Sequence, residues 1–251
     1  MRTALLLCCL LCGGLLACRE VPRVPPLPAV PPPADSPVQQ PYPGLADEYV
    51  TDTIAEQLAD SSTVGRPGRS KIGFTHFLLP DSHFVVLRYF RREGRRWRLV
   101  NEYVFPKDDV LPAAVRLEDL TGDGHKDLSY VSAVAARGGN EVRRLFVYHP
   151  GRDTLTYVKN SDDYPNLRYN RDLRCLDAFA LHGASTTFFL RLRRDSLQRF
   201  ASVDLGGGLT VSEYDARGNE TVIFRDPKEE AQYVRYKNYK PLVVNRDRDE
   251  E

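Results

Sequence analysis

Residues 113–135 read AAVRLEDLTGDGHKDLSYVSAVA, two β-like runs joined by a loop too rich in Asp and Gly to continue either one. The downstream run, DLSYVSAVA, is dense in β-branched and aromatic residues, and the upstream AAVRLEDL suits its strand partner. Counting Asp119 as position 1, the loop puts Thr121 at 3, Asp123 at 5, Gly124 at 6, His125 at 7 and Asp127 at 9. Calcium is a hard cation that takes about six to eight oxygens, and alternate positions of a tightly curled loop aim oxygens inward. Glycine at position 6 permits the sharp turn, and position 7 offers its backbone carbonyl. The expected Ca2+ ligands are the side chains of Asp119, Thr121, Asp123 and Asp127 with the His125 carbonyl. Tyr130 stands at position 12, where an EF-hand needs a bidentate Glu, so the loop is of a different, strand-flanked type. Thr121 in place of a carboxylate leaves three formal charges, which sets the expected dissociation constant at about 10⁻⁴ to 10⁻³ M. The same residues also suit a metal-free Asp/Gly turn.

Strand-like runs extend outward from this loop in both directions: 72–79, 83–91, 95–105, 113–118, 128–135, 141–149, 154–159, 185–193, 197–204, 209–214 and 220–224. Turn residues separate them, among them Arg92-Glu93-Gly94, Pro150-Gly151-Arg152-Asp153 and Gly206-Gly207-Gly208. The fold expected is all-β, with short strands in β-propeller-like antiparallel sheets. No fixed repeat period is visible, which argues against equal blades. Two short helices are expected at its margins. One lies near 46–60, with Tyr49, Ile54 and Leu58 on one face; the other lies near 227–234, where Asp226, Pro227, Glu229 and Glu230 read as a cap, an N1 proline and an acidic first turn. Residues 45–244 then form a single β domain, and 245–251 form a charged tail.

Ahead of the domain, Arg2 and an apolar run from Ala4 to Leu16 form a signal peptide over 1–17, ending in Leu15-Leu16-Ala17-Cys18. That ending resembles a bacterial lipobox, which implies acylation of Cys18 and attachment to the membrane through several chains. Residues 18–44 follow as a tether holding ten of the eighteen prolines. Polyproline II rises about 3.1 Å per residue, so the tether reaches roughly 80 Å. Arg19 after the lipidated cysteine is not the aspartate associated with inner-membrane retention, so the expected location is the cell envelope, at the outer membrane and facing either the periplasm or the cell surface. Loss of the leader leaves Cys175 as the one cysteine besides Cys18, in the apolar run LRCLDAFAL, which suits a buried small hydrophobe.

Of the 35 basic and 34 acidic residues, only Arg2 leaves with the leader, so the mature chain is neutral. Neutrality argues against nucleic acid as a partner. The arginines at 91, 92, 95, 96 and 98 read as a solvated hairpin end. The five histidines stand singly, without the spacing of a histidine metal site, and no nucleophile elbow is present. Asp162-Asp163 and Glu229-Glu230 are adjacent acids, which sequence alone cannot place across a sugar bond. No catalytic residue is assigned, and the chain is expected not to be an enzyme. An envelope glycan hydrolase is the alternative, and so is a surface glycan-binding lipoprotein, for which Tyr233, Tyr236 and Tyr239 are the only suggestive aromatic cluster.

The loop 119–128 resembles the D-x-[DNT]-x-D-G-x-x-D-L loops of FG-GAP and related β-propeller repeat proteins. Downstream, Thr186, Phe188, Leu190 and Leu192 alternate as one buried strand face within 169–203. This order of features, over roughly residues 112–225, resembles a family of bacterial envelope lipoproteins that includes an immunity protein against a secreted lysozyme effector. That group is similar in fold to the type I periplasmic lysozyme inhibitors. The resemblance implies a calcium-containing domain that binds a protein partner in the envelope, a lysozyme-like hydrolase. One departure bears on this: type I inhibitors insert a Ser-Gly-x-Tyr loop into the lysozyme cleft, and this chain contains no Ser-Gly dipeptide. Acylation is the directly testable part. Metabolic labelling with a radioactive fatty acid is expected to mark the wild type and not Cys18→Ser, and equal label on both would remove the lipobox reading.

Overall fold

The computed structural model describes residues 54–80, 82–107 and 111–245. The leader, Cys18, the tether, residues 46–53 of the first expected helix and the tail from Arg246 lie outside them. All described residues belong to one compact unit, Pro41–Glu251. They build four antiparallel sheets in chain order. The first holds β1 (Ile54–Asp60), β2 (Ser70–Leu79), β3 (Ser82–Glu93) and β4 (Arg96–Pro106). The second holds β5 (Arg116–Glu118), β6 (Asp127–Ala135), β7 (Asn140–His149) and β8 (Thr154–Tyr157). The third is a six-stranded meander of β9 (Arg168–Asn170), β10 (Cys175–Leu181), β11 (Ser185–Arg193), β12 (Ser196–Asp204), β13 (Leu209–Tyr214) and β14 (Glu220–Asp226). β15 (Tyr236–Tyr239) and β16 (Leu242–Val244) pair as a ribbon. The all-β antiparallel expectation holds.

Strand alternation assigns side chains to three cores. In β7, Phe146 and Tyr148 join Phe74, Leu87 and Tyr89 of the first sheet. The residues between them, Leu145 and Val147, face the other way onto Leu176 and Leu190 of the third. The second sheet is therefore buried on both faces, which explains the uninterrupted apolar run LFVY in β7. The third sheet repeats this arrangement. Leu190 faces the second sheet, while Phe189 packs with Val203, Val211 and Tyr236 in the last core. Cys175 lies in that core, buried and free.

Neither expected helix forms within the described residues. Residues 54–60, IAEQLAD, have helix-compatible composition but alternate in burial, and Leu58 and Asp60 pair with Phe74 and Ile72. Pairing with a core strand overrides a propensity worth a few tenths of a kcal/mol per residue, on the order of ordinary helix scales. At 227–234, the Asp226 carboxylate accepts the Lys228 N–H at 2.9 Å and so makes a turn, after which the chain is irregular, with a bend at Tyr233, as far as β15. Arg235 there ion-pairs with Asp177, which is 1% exposed in β10. That contact holds the terminal ribbon's approach where a helix would have shortened it.

The first and second sheets are joined by a buried polar link. Asp153, with φ 49°, turns the chain between β7 and β8. Its Oδ1 accepts hydrogen bonds from Tyr89 Oη at 2.7 Å, Tyr148 Oη at 3.0 Å and Ser70 Oγ at 3.3 Å. Burial alone would raise its pKa, but the bonds from Tyr89, Tyr148 and Ser70 outweigh it and hold the carboxyl below the usual range. A carboxylate with a lowered folded-state pKa contributes stability above its unfolded value of about 3.9, and that contribution is lost as pH falls through the folded value. Asp153→Asn is thus expected to destabilise the chain by about 1–3 kcal/mol at neutral pH. In urea unfolding, the gap to wild type should close below about pH 4; a gap independent of pH would remove the charge argument.

Candidate metal centre

β5 pairs with β6 through Leu117 opposite Leu128 and Glu118 opposite Asp127, so residues 119–126 are the connection of an antiparallel hairpin. Gly122 and Gly124 carry φ of 73° and 86°, the left-handed backbone that lets eight residues curl tightly. The Asp119 carboxylate caps the curl by accepting the N–H groups of Gly122 at 2.6 Å, Asp123 at 3.2 Å and Gly124 at 2.8 Å. Asp123 accepts the His125 N–H at 2.9 Å. These bonds of Asp119 and Asp123 are exposed to solvent.

Asp127 differs from them. It is fully buried, and its Oδ2 accepts the Leu120 and Thr121 N–H groups at 3.0 and 3.2 Å, while Oδ1 accepts the Tyr148 N–H at 3.1 Å. Burial pushes its pKa up to about 7, the charges of Asp123 and Asp119 add to the rise, and the N–H groups of Tyr148 and Leu120 oppose it. Its immediate task is to tie the loop to β7. Thr121 has the opposite defect: its Oγ1 is buried and without a hydrogen-bond partner, which costs on the order of 1–3 kcal/mol unless something meets it.

The five sequence-derived positions thus share one loop, and all the side-chain donors are oxygen, the chemistry of a hard cation. The orphaned Thr121 hydroxyl fits such an ion. The acids themselves are not converged: among the described residues, no three His, Cys, Asp or Glu side chains form a metal-binding group. Asp119 spends three of a carboxylate's roughly four lone-pair sites on backbone N–H groups. Two aromatic residues complete the surroundings and carry no sequence signal. The His125 ring meets Tyr148 edge-on at 5.7 Å between centroids. Tyr169 of β9 lies so close over Gly122 that a Cβ there would overlap its phenol.

The remaining candidates separate. Tyr236 is buried in the last core and Tyr239 packs beside it, while Tyr233 is 62% exposed, so the three tyrosines form no aromatic platform. No family model matches the chain, and no curated protein matches it. Among solved structures it is similar to one titled "Structure of a Xanthomonas Type IV Secretion System related protein", with a TM-score of 0.42 and 13% identity, over 68% of this chain and 95% of that one. A likeness that distant transfers no function.

The two glycines give a direct test of the loop. A Cβ at Gly124 meets nothing within 4 Å, whereas one at Gly122 meets Tyr169. Gly124→Ala should cost about 1–2 kcal/mol from its left-handed backbone alone. Gly122→Ala should cost more, and Tyr169→Ala should recover part of the excess in the double mutant. Denaturant unfolding of the four variants measures the coupling; additive effects would show that Tyr169 does not clamp the loop.

Proposed function

We propose that the chain is a lipid-anchored, calcium-stabilised binding module of a bacterial cell envelope, acting by occupying a protein partner, a lysozyme-like wall hydrolase. The observation that supports binding is where the exposed apolar side chains sit. Among the described residues, five of the eight large exposed ones, Trp97, Leu99, Val222, Ile223 and Phe224, belong to β4 and β14. These are edge strands of the first and third sheets. An edge strand offers unpaired backbone groups, and apolar side chains beside them mark a surface for another chain. Since the sequence lacks the Ser-Gly-x-Tyr loop, these edges are the surfaces assigned to the partner.

In this reading, Asp119, Thr121, Asp123 and Asp127 with the His125 carbonyl hold Ca2+, which supplies a cross-link between β5 and β6. The ion's work there would be structural, since a hard, weakly polarising cation in an all-oxygen loop chiefly ties strands together and does little to activate water. A ligand bound only by the native state adds about 2.7 kcal/mol at a hundredfold excess over Kd.

The full-length chain should melt higher in millimolar calcium than in EDTA, and Asp123→Ala should abolish the difference. A calcium response that persists in Asp123→Ala would show the ion to be elsewhere. In turbidity assays on cell walls, the wild type should inhibit a muramidase near equimolar ratio and degrade no wall alone. Phe224→Asp, which changes an exposed edge residue, should lose inhibition while keeping its melting temperature. Wall loss caused by the protein alone, or no inhibition across a lysozyme panel, would overturn the inhibitor reading.

A further inference from the structure

The third sheet has an uneven end. Pairing of β10 with β11 stops at Leu176 opposite Leu190. β11 nevertheless continues to Arg193, held only from the other side by β12 through Arg191 opposite Gln198 and Arg193 opposite Ser196. A cavity of about 350 Å³ lies beside this unpaired stretch of β11. Its volume falls at the lower end of small-molecule sites, which run from about 300 to 1,000 Å³. Leu176, Leu190 and Leu192 contribute apolar wall, and the loop closes one side through Thr121.

Its charge is one-sided. Arg174, Arg191 and Arg193 all line the cavity, and no Asp or Glu does. Several other guanidinium groups are paired, among them Arg88 with Glu102 at 2.6 Å, Arg143 with Glu141 at 2.7 Å, and Arg235 with Asp177. None of the three cavity arginines forms an ion pair among the described residues. Three like charges around a small, partly apolar space repel one another, and an anion reverses the sign of that energy. The arginines are also partly prearranged. The Arg191 guanidinium stacks on Phe200 at 4.2 Å, and Phe200 is itself packed against Tyr239 at 6.0 Å. Arg174 holds a left-handed backbone, with φ 48°, a conformation that costs a non-glycine residue about 1–2 kcal/mol. A planar fork held in place by stacking loses little freedom when it grips an oxyanion with two parallel hydrogen bonds.

We propose that a multiply charged oxyanion, a phosphoryl or polycarboxylate group on a small ligand, binds at this unpaired edge of β11 between Arg174, Arg191 and Arg193, on the side of the strand opposite Leu190 and Leu192. The proposal does not require calcium in the loop, so the test is run on protein stripped of metal and then dialysed free of chelator.

Titration calorimetry of the full-length chain at constant ionic strength, with inorganic phosphate, pyrophosphate and citrate as separate probes, should give saturable one-to-one binding. Arg191→Gln and Arg193→Gln should each weaken it about tenfold or more. Arg96→Gln, at an exposed arginine that opens β4, should leave it unchanged. Arg193 has no stacking contact to lose, so its variant keeps the test valid if Arg191→Gln folds poorly. Stronger binding of the phosphates than of citrate assigns the site to a phosphoryl group, and the reverse order assigns it to a polycarboxylate; either supports the proposal. No saturable heat with any probe, or equal weakening by Arg96→Gln, would overturn it.

Discussion

The two-sided burial of the second sheet is the constraint on which the rest of the structure depends. A strand with one wet face tolerates a one-residue slip at the expense of one core, but in β7 a slip would exchange Leu145 and Val147 with Phe146 and Tyr148 and ruin two cores together. Register in β7 is therefore specified twice. β6 inherits it through Leu128 opposite Phe146, and β5 inherits it from β6 through Leu117 opposite Leu128. The loop 119–126, suspended between β5 and β6, is positioned by the same pairing.

Sheets stacked through apolar side chains can slide, since dispersion contacts have little direction. Three buried aspartates supply the direction. Asp127 fixes the loop to the Tyr148 backbone, Asp153 joins hydroxyls from both of the first two sheets, and Asp177 receives Arg235 ahead of the terminal ribbon. In each case a short side chain ends at a junction and accepts hydrogen bonds from donors of another segment. A carboxylate desolvated in that way is stable only while those donors stay in place, which makes each junction sensitive to displacement.

The strands expected from sequence all appear, most of them because one face lies in a core that registers as apolar and polar residues in turn; β14 has no buried face and was legible only from its β-branched and aromatic TVIF run. What was not legible has physical causes. Residues 54–60 carry Ala, Glu, Gln and Leu, whose weak helical preference yields to the edge of β2. β9 is three residues long, and the CLDAFAL of β10 offers no alternation because Cys175 and Leu176 are buried on opposite faces. At the site, spacing put the five candidate positions in one loop. It could not show that Asp127 faces inward to β7, nor that Tyr169, distant in sequence, sits over Gly122. Those facts arise from how the third sheet stacks on the second, which no local pattern encodes.

That stacking bears on how the loop could matter to function. Through Tyr169 the loop touches the third sheet, and through Asp127 it touches β7 of the second. Anything that tightens the curl acts on the seam between the two sheets. The apolar edges β4 and β14 belong to the first and third sheets, on strands that take no part in the loop. A change in the loop can reach β14 only through the third sheet as a whole. On the proposed reading, an ion in the loop would set how firmly β14 is held, and the choice of partner would fall to the exposed Trp97, Leu99, Val222, Ile223 and Phe224 themselves.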